Sequence, residues 1–133
     1  MANGKIKADT LEHSTAGSLD TSYVVNGSAK AWAHIAAGGA SLPDSFNFSS
    51  IDDDGTGEYG LNYISVMGST NYSANMTLTF NHAATSNARD CIIEAKTASS
   101  VEVDSGYVAG STTYFTPYDI ETNASVTVQG DLA

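Results

Sequence analysis

The sequence predicts an all-β fold, an antiparallel β-sandwich of jelly-roll type preceded by an extended N-terminal arm. Three observations point there. Ser, Thr and Asn make up 40 of the 133 residues, and strong helix formers are sparse; that mixture favours strands and turns over helices. Tyr72, Ala74, Met76, Leu78 and Phe80 alternate with Ser73, Asn75, Thr77 and Thr79, the period-two pattern of a half-buried strand. Turn-forming clusters then recur about every 10 to 14 residues, the spacing of a sandwich or barrel.

Taken in order, residues 1–22 alternate weakly around Ile6, Ala8 and Thr10 and then turn small and polar. They read as an arm with little core of its own. Such a segment cannot offset its ordering entropy alone, so a neighbour is expected to hold it, in an obligate homo-oligomer or a larger assembly. Residues 23–133 form the sandwich domain. Residues 23–35 open it, with Trp32 expected inside, and Ala37-Gly-Gly-Ala40 follows as a loop. Phe46 and Phe48 alternate with Ser45, Asn47 and Ser49 in one strand; Tyr59, Leu61 and Tyr63 share a face in the next. Between them, residues 52–57 read as an acidic, glycine-containing loop. Residues 68–71 and 81–87 read as turns around the 72–80 strand, and residues 89–95 as a more deeply buried strand. Val101 and Val103 point one way, Asp104-Ser-Gly106 reads as a turn, and residues 112–116 as a further strand ended by a turn at 117–119. The last strand, 125–129, turns Val126 and Val128 inward.

Charge narrows the function. The chain carries 5 basic and 15 acidic residues, a net charge of −10. Lys5, Lys7 and Lys30 balance Asp9, Glu12 and Asp20, so the acidity belongs to the remainder. Nucleic acid and anionic membranes both require clustered cations, so neither is expected as a partner. No apolar run is long enough for a membrane helix, and the N-terminal stretch lacks the apolar segment of a secretory leader. A single cysteine, Cys91, excludes an internal disulfide framework. Flanked by Asp90, it reads as a core thiol with a raised pKa and not as a nucleophile.

Motifs that carry chemistry are few. Asp52, Asp54 and Glu58 could meet a hard cation, but position twelve of a calcium loop would fall on Tyr63, which gives no bidentate carboxylate. Ordinary turn chemistry accounts for them as well, and no metal or other cofactor is expected. His13, His34 and His82 have no metal-helix spacing. Neither a nucleophile elbow nor a phosphate-cradling loop occurs, so the chain is expected not to be an enzyme. Asn26, Asn47, Asn71, Asn75 and Asn123 begin Asn-x-Ser/Thr triplets, as a chain this rich in those residues will by chance. Tyr107, Tyr114 and Tyr118 are candidates for stacking on a sugar; inward-facing tyrosines filling a core short of Leu and Ile are the plainer account.

Val25-Asn-Gly-Ser-Ala-Lys-Ala-Trp32, then Asp44-Ser-Phe-Asn-Phe-Ser-Ser-Ile-Asp-Asp-Asp-Gly-Thr-Gly-Glu-Tyr59, and the closing Ser125-Val-Thr-Val-Gln-Gly-Asp131 resemble a domain of tail-fibre-like structural proteins of tailed bacteriophages, many from marine and cyanobacterial phages. The resemblance spans roughly residues 23–131 and is loose across 81–120. It implies a non-enzymatic, usually trimeric sandwich on the virion surface, either a short tail fibre or a head-decoration (cement) protein. In that setting the arm would dock on other virion proteins, with Lys5, Ile6, Lys7, Leu11, Leu19 and Lys30 as contacts, and the acidic body would face solvent. A carbohydrate-binding module that recognises a host-surface glycan, with the three C-terminal tyrosines as its platform, is the alternative.

Overall fold

A computed structural model of the chain describes residues 8–15, 17–79, 88–108 and 115–133. Two strands, β1 (Thr10–His13) and β2 (Gly17–Asp20), form a hairpin with Leu11 opposite Leu19. A short helix, α1 (Thr21–Gly27), follows directly. The Asp20 carboxylate caps it by accepting from the Ser22 N–H at 2.7 Å, a bond that also lowers the Asp20 pKa. The described part of residues 1–22 is therefore a hairpin leading into a helix, where one extended arm was expected. Residues 23–27 belong to that helix and not to the first sandwich strand.

The sandwich begins at β3 (Ala29–Ala36), which ends in a 3-10 turn at Ala37–Gly39. It continues through β4 (Asp44–Phe46), β5 (Phe48–Gly55), β6 (Glu58–Tyr63), β7 (Ser73–Thr79), β8 (Ala88–Lys96), β9 (Ser100–Val108), β10 (Phe115–Pro117) and β11 (Asn123–Gln129). One sheet has the order β4-β3-β11-β7. The other runs β5-β6-β9-β8, with β10 beside β9 past the end of β6. Every pairing is antiparallel.

The core lies between the sheets, and its two halves differ in size. The first sheet contributes Ala31, Ala33, Ala124, Ile35, Val126 and Val128; the second contributes Phe48, Tyr59, Leu61, Tyr63, Val101 and Val103. Small residues face large ones, the way two layers interdigitate without voids. The close approach is visible at Gly39 (φ +68°), where a Cβ would sit 1.8 Å from the Tyr59 ring. Burial holds the Tyr63 phenol well above its ordinary pKa.

Five readings from sequence are corrected here. Trp32 lies on the outer face, 38% exposed, because the inward phase of β3 belongs to Ala31, Ala33 and Ile35. Phe46 and Phe48 do not share a face: Asn47 adopts φ 60° between them, so Phe46 is 53% exposed and Phe48 is buried. Asp52, Asp53 and Asp54 lie within β5, and the β5–β6 turn is confined to residues 56 and 57. Residues 104–106 are not a turn but the middle of β9. Gly106 serves there for clearance, since a Cβ would meet the Thr116 carbonyl at 2.3 Å where β10 crosses. Strand β8 is half-buried, with Ile92 42% exposed. Phe80, the 81–87 turn and most of the 112–116 strand lie outside the described residues.

Candidate functional site

The two outer faces of the sandwich have opposite chemistry. Outward positions of the β5-β6-β9-β8 sheet carry Asp52, Asp54, Glu58, Glu94, Glu102 and Asp104. The register sets Glu58 opposite Asp104, and Gly60 opposite Glu102. Over Gly60 the carboxylates of Glu102 and Asp54 converge, within 2.9 and 3.3 Å of where a Cβ would stand. Burial first, then the charges of Glu94, Glu58 and Glu102, push the Asp104 pKa above the ordinary carboxylate range. Its Oδ1 is buried and has no hydrogen-bond partner among the described residues. The proposed cation ligands are dispersed across this face. Asp52 accepts from Asn62 Nδ2 at 2.7 Å, Asp54 leans over Gly60, and Glu58 sits beside Asp104. Among the described residues, no group of three or more His, Cys, Asp or Glu is arranged to hold a metal.

The outer face of the β4-β3-β11-β7 sheet is nearly free of charge. Register places Phe46 opposite Trp32, Trp32 opposite Thr127, and Thr127 opposite Asn75. The next row is Asp44, His34, Ser125 and Thr77. The nearest base, Lys30, lies at the margin; it is 9% exposed and its ammonium donates to the Val25 carbonyl and the Ser28 hydroxyl. Both partners are neutral, so the contact orients the Lys30 ammonium without compensating its charge. Sequence reasoning missed this face. The signal was present: Lys30, Trp32 and His34 share a phase, and Ala31, Ala33 and Ile35 take the other.

The C-terminal tyrosines are partly brought together. Tyr107 and Tyr118 meet edge to face with centroids 6.0 Å apart, and Tyr114 lies outside the described residues. Between them stands Arg89, 5.5 Å from the Tyr107 centroid and 4.3 Å from that of Tyr118. Its side chain is 8% exposed and pairs with Glu121. This is a cation–π clamp joining β8 and β9 to the segment after β10, so a sugar could use only the opposite side of the Tyr118 ring. Tyr59, Tyr63 and Tyr72 are core residues.

Of the remaining docking candidates, Leu11 and Leu19 are 49% and 46% exposed on the hairpin. Next along the chain, α1 exposes Tyr23, Val24 and Val25; Lys5, Ile6 and Lys7 lie outside the described residues. Cys91 donates its thiol to the Met76 carbonyl at 3.2 Å, and burial, then Asp90, raises its pKa. Neither a family model, a curated protein nor a solved structure matches the chain.

Proposed function

We propose that the chain is a non-enzymatic virion structural protein of a tailed bacteriophage. It is a short homotrimeric surface appendage whose N-terminal segment docks on other virion proteins while its acidic body faces solvent. One observation carries this reading. The hairpin and α1 expose Leu11, Leu19, Tyr23, Val24 and Val25 together and contribute nothing to the core cluster. Large apolar side chains gathered on a segment outside the core mark a surface that is covered in use. The acidic outer sheet face supports the orientation, because a dense field of carboxylates favours water over a protein neighbour. The sequence resemblance over residues 23–131 supplies the setting.

Quantitative mass spectrometry of purified virions tests the reading. Peptides of this chain are expected at a fixed ratio to the major shell protein. A ratio near one assigns it to capsid decoration, and a many-fold lower ratio to the tail or a vertex. Its absence from washed particles would overturn the assignment.

A further inference from the structure

We propose that the outer face of the β4-β3-β11-β7 sheet is a binding platform for an uncharged glycan, with Trp32 and Phe46 stacking on pyranose rings. Nothing in this inference depends on the virion setting.

Trp32 and Phe46, both outside the core, stand directly opposite one another, 38% and 53% exposed. The fold makes no core use of either: the inward positions of β3 are filled by Ala31, Ala33 and Ile35. Around them, Asp44, His34, Thr127, Asn75, Ser125 and Thr77 point outward. Their side chains spend no hydrogen bond among the described residues, whereas the opposite face ties Asn62 to Asp52 and Ser100 to Glu102. Aromatic rings for the C–H faces of a sugar, beside free hydroxyls and amides for its O–H groups, form one recognition surface.

Size and charge select the occupant. Strands of three, eight, seven and seven residues, about 4.8 Å apart, give a face of roughly 400 Å². A stable protein interface needs about 800 Å² per partner with an apolar centre, and only two rings here are apolar. A second copy is therefore a poor fit. Pyranose rings repeat at close to the strand spacing of about 4.8 Å, so a glycan lying across the strands meets Phe46, Trp32, Thr127 and Asn75 in turn. In a chain of net charge −10, the described residues give this face one carboxylate, Asp44, and one ammonium at its margin, Lys30; without a cluster of cations it offers little to hold an anionic polymer, which favours a neutral one.

Trp32 is the sole tryptophan, so its emission reports on the site directly. The test runs the full chain through native gels containing a β-glucan, a mannan, a galactan, a dextran or anionic alginate. Retardation by at least one neutral polymer is expected, persisting in about 0.5 M NaCl, with a blue shift of Trp32 emission on titrating that polymer. Trp32→Ala and Phe46→Ala should each weaken retardation about tenfold or more with the thermal midpoint held, and Tyr118→Ala should bind as the parent does. Three results would overturn the proposal: no retardation by any neutral polymer, retardation that leaves both variants unaffected, or a parent chain that sediments as a dimer and becomes monomeric on Trp32→Ala.

Discussion

Asn47 turns the chain from one sheet into the other within a single residue. Its φ of 60° lies in the left-handed region, which Asn tolerates better than other side chains. Its amide then fixes the corner, donating to the Ser65 carbonyl at 3.0 Å and accepting from the Ser65 N–H at 2.7 Å. Asn47→Ala loses both bonds and adds backbone strain, and should cost about 2–3 kcal/mol in urea unfolding. Asn47→Gly loses only the bonds, so its midpoint should fall between those of Asn47→Ala and the parent. Equal losses in the two variants would remove the backbone contribution. Gly39 gives a second check. Ala there would place a methyl in the Tyr59 ring at a positive φ and should cost at least about 2 kcal/mol by the same measurement.

Which elements could be read from sequence follows from how each strand meets the core. Strands β6, β7 and β11, and the start of β9, each put one face on the core, so their alternation was legible. Helix α1 was not, because Val24 and Val25 favour strands and its formation rests on a single Asp20 cap. The middle of β9 was hidden by Asp-Ser-Gly, ordinary turn chemistry that this chain uses instead to bring β10 close at Gly106. The aromatic platform was misread for a related reason. Tryptophan is usually packed inside, but here the inward positions on either side of Trp32 are filled by the small Ala31 and Ala33, opposite the large residues of the facing sheet. A prediction belongs at this scale too. The hairpin lies outside the core, so Leu11→Ser with Leu19→Ser should leave the thermal midpoint within about 2 °C of the parent. If the chain assembles as the proposed trimer, the same double variant should sediment as a monomer at micromolar concentration where the parent sediments as a trimer. A persistent trimer would move the self-contact elsewhere.

Across the whole molecule, the sandwich separates an acidic face from a neutral one, and its stability should follow the acidic side. The Asp104 pKa is raised on folding above the model-compound 3.8, so the folded state binds its proton more tightly than the unfolded state does. That stabilisation is complete below the unfolded pKa and is lost as pH rises through the folded value. Lowering the pH from 7 through the folded Asp104 pKa should therefore raise the thermal midpoint, and Asp104→Asn should raise it at pH 7 and flatten the dependence. Calorimetry across that range decides it, and a parent midpoint that falls on acidification would reverse the sign. The β5 strand has a further consequence. Among the described residues it is one edge of its sheet, and it carries Asp52, Asp53 and Asp54 in succession. An open edge is a template for strand addition, and adjacent carboxylates prevent two such edges from meeting. Removing those charges with Asp52→Asn, Asp53→Asn and Asp54→Asn together should therefore leave the individual fold intact and make the solution more prone to fibrous aggregation than that of the parent.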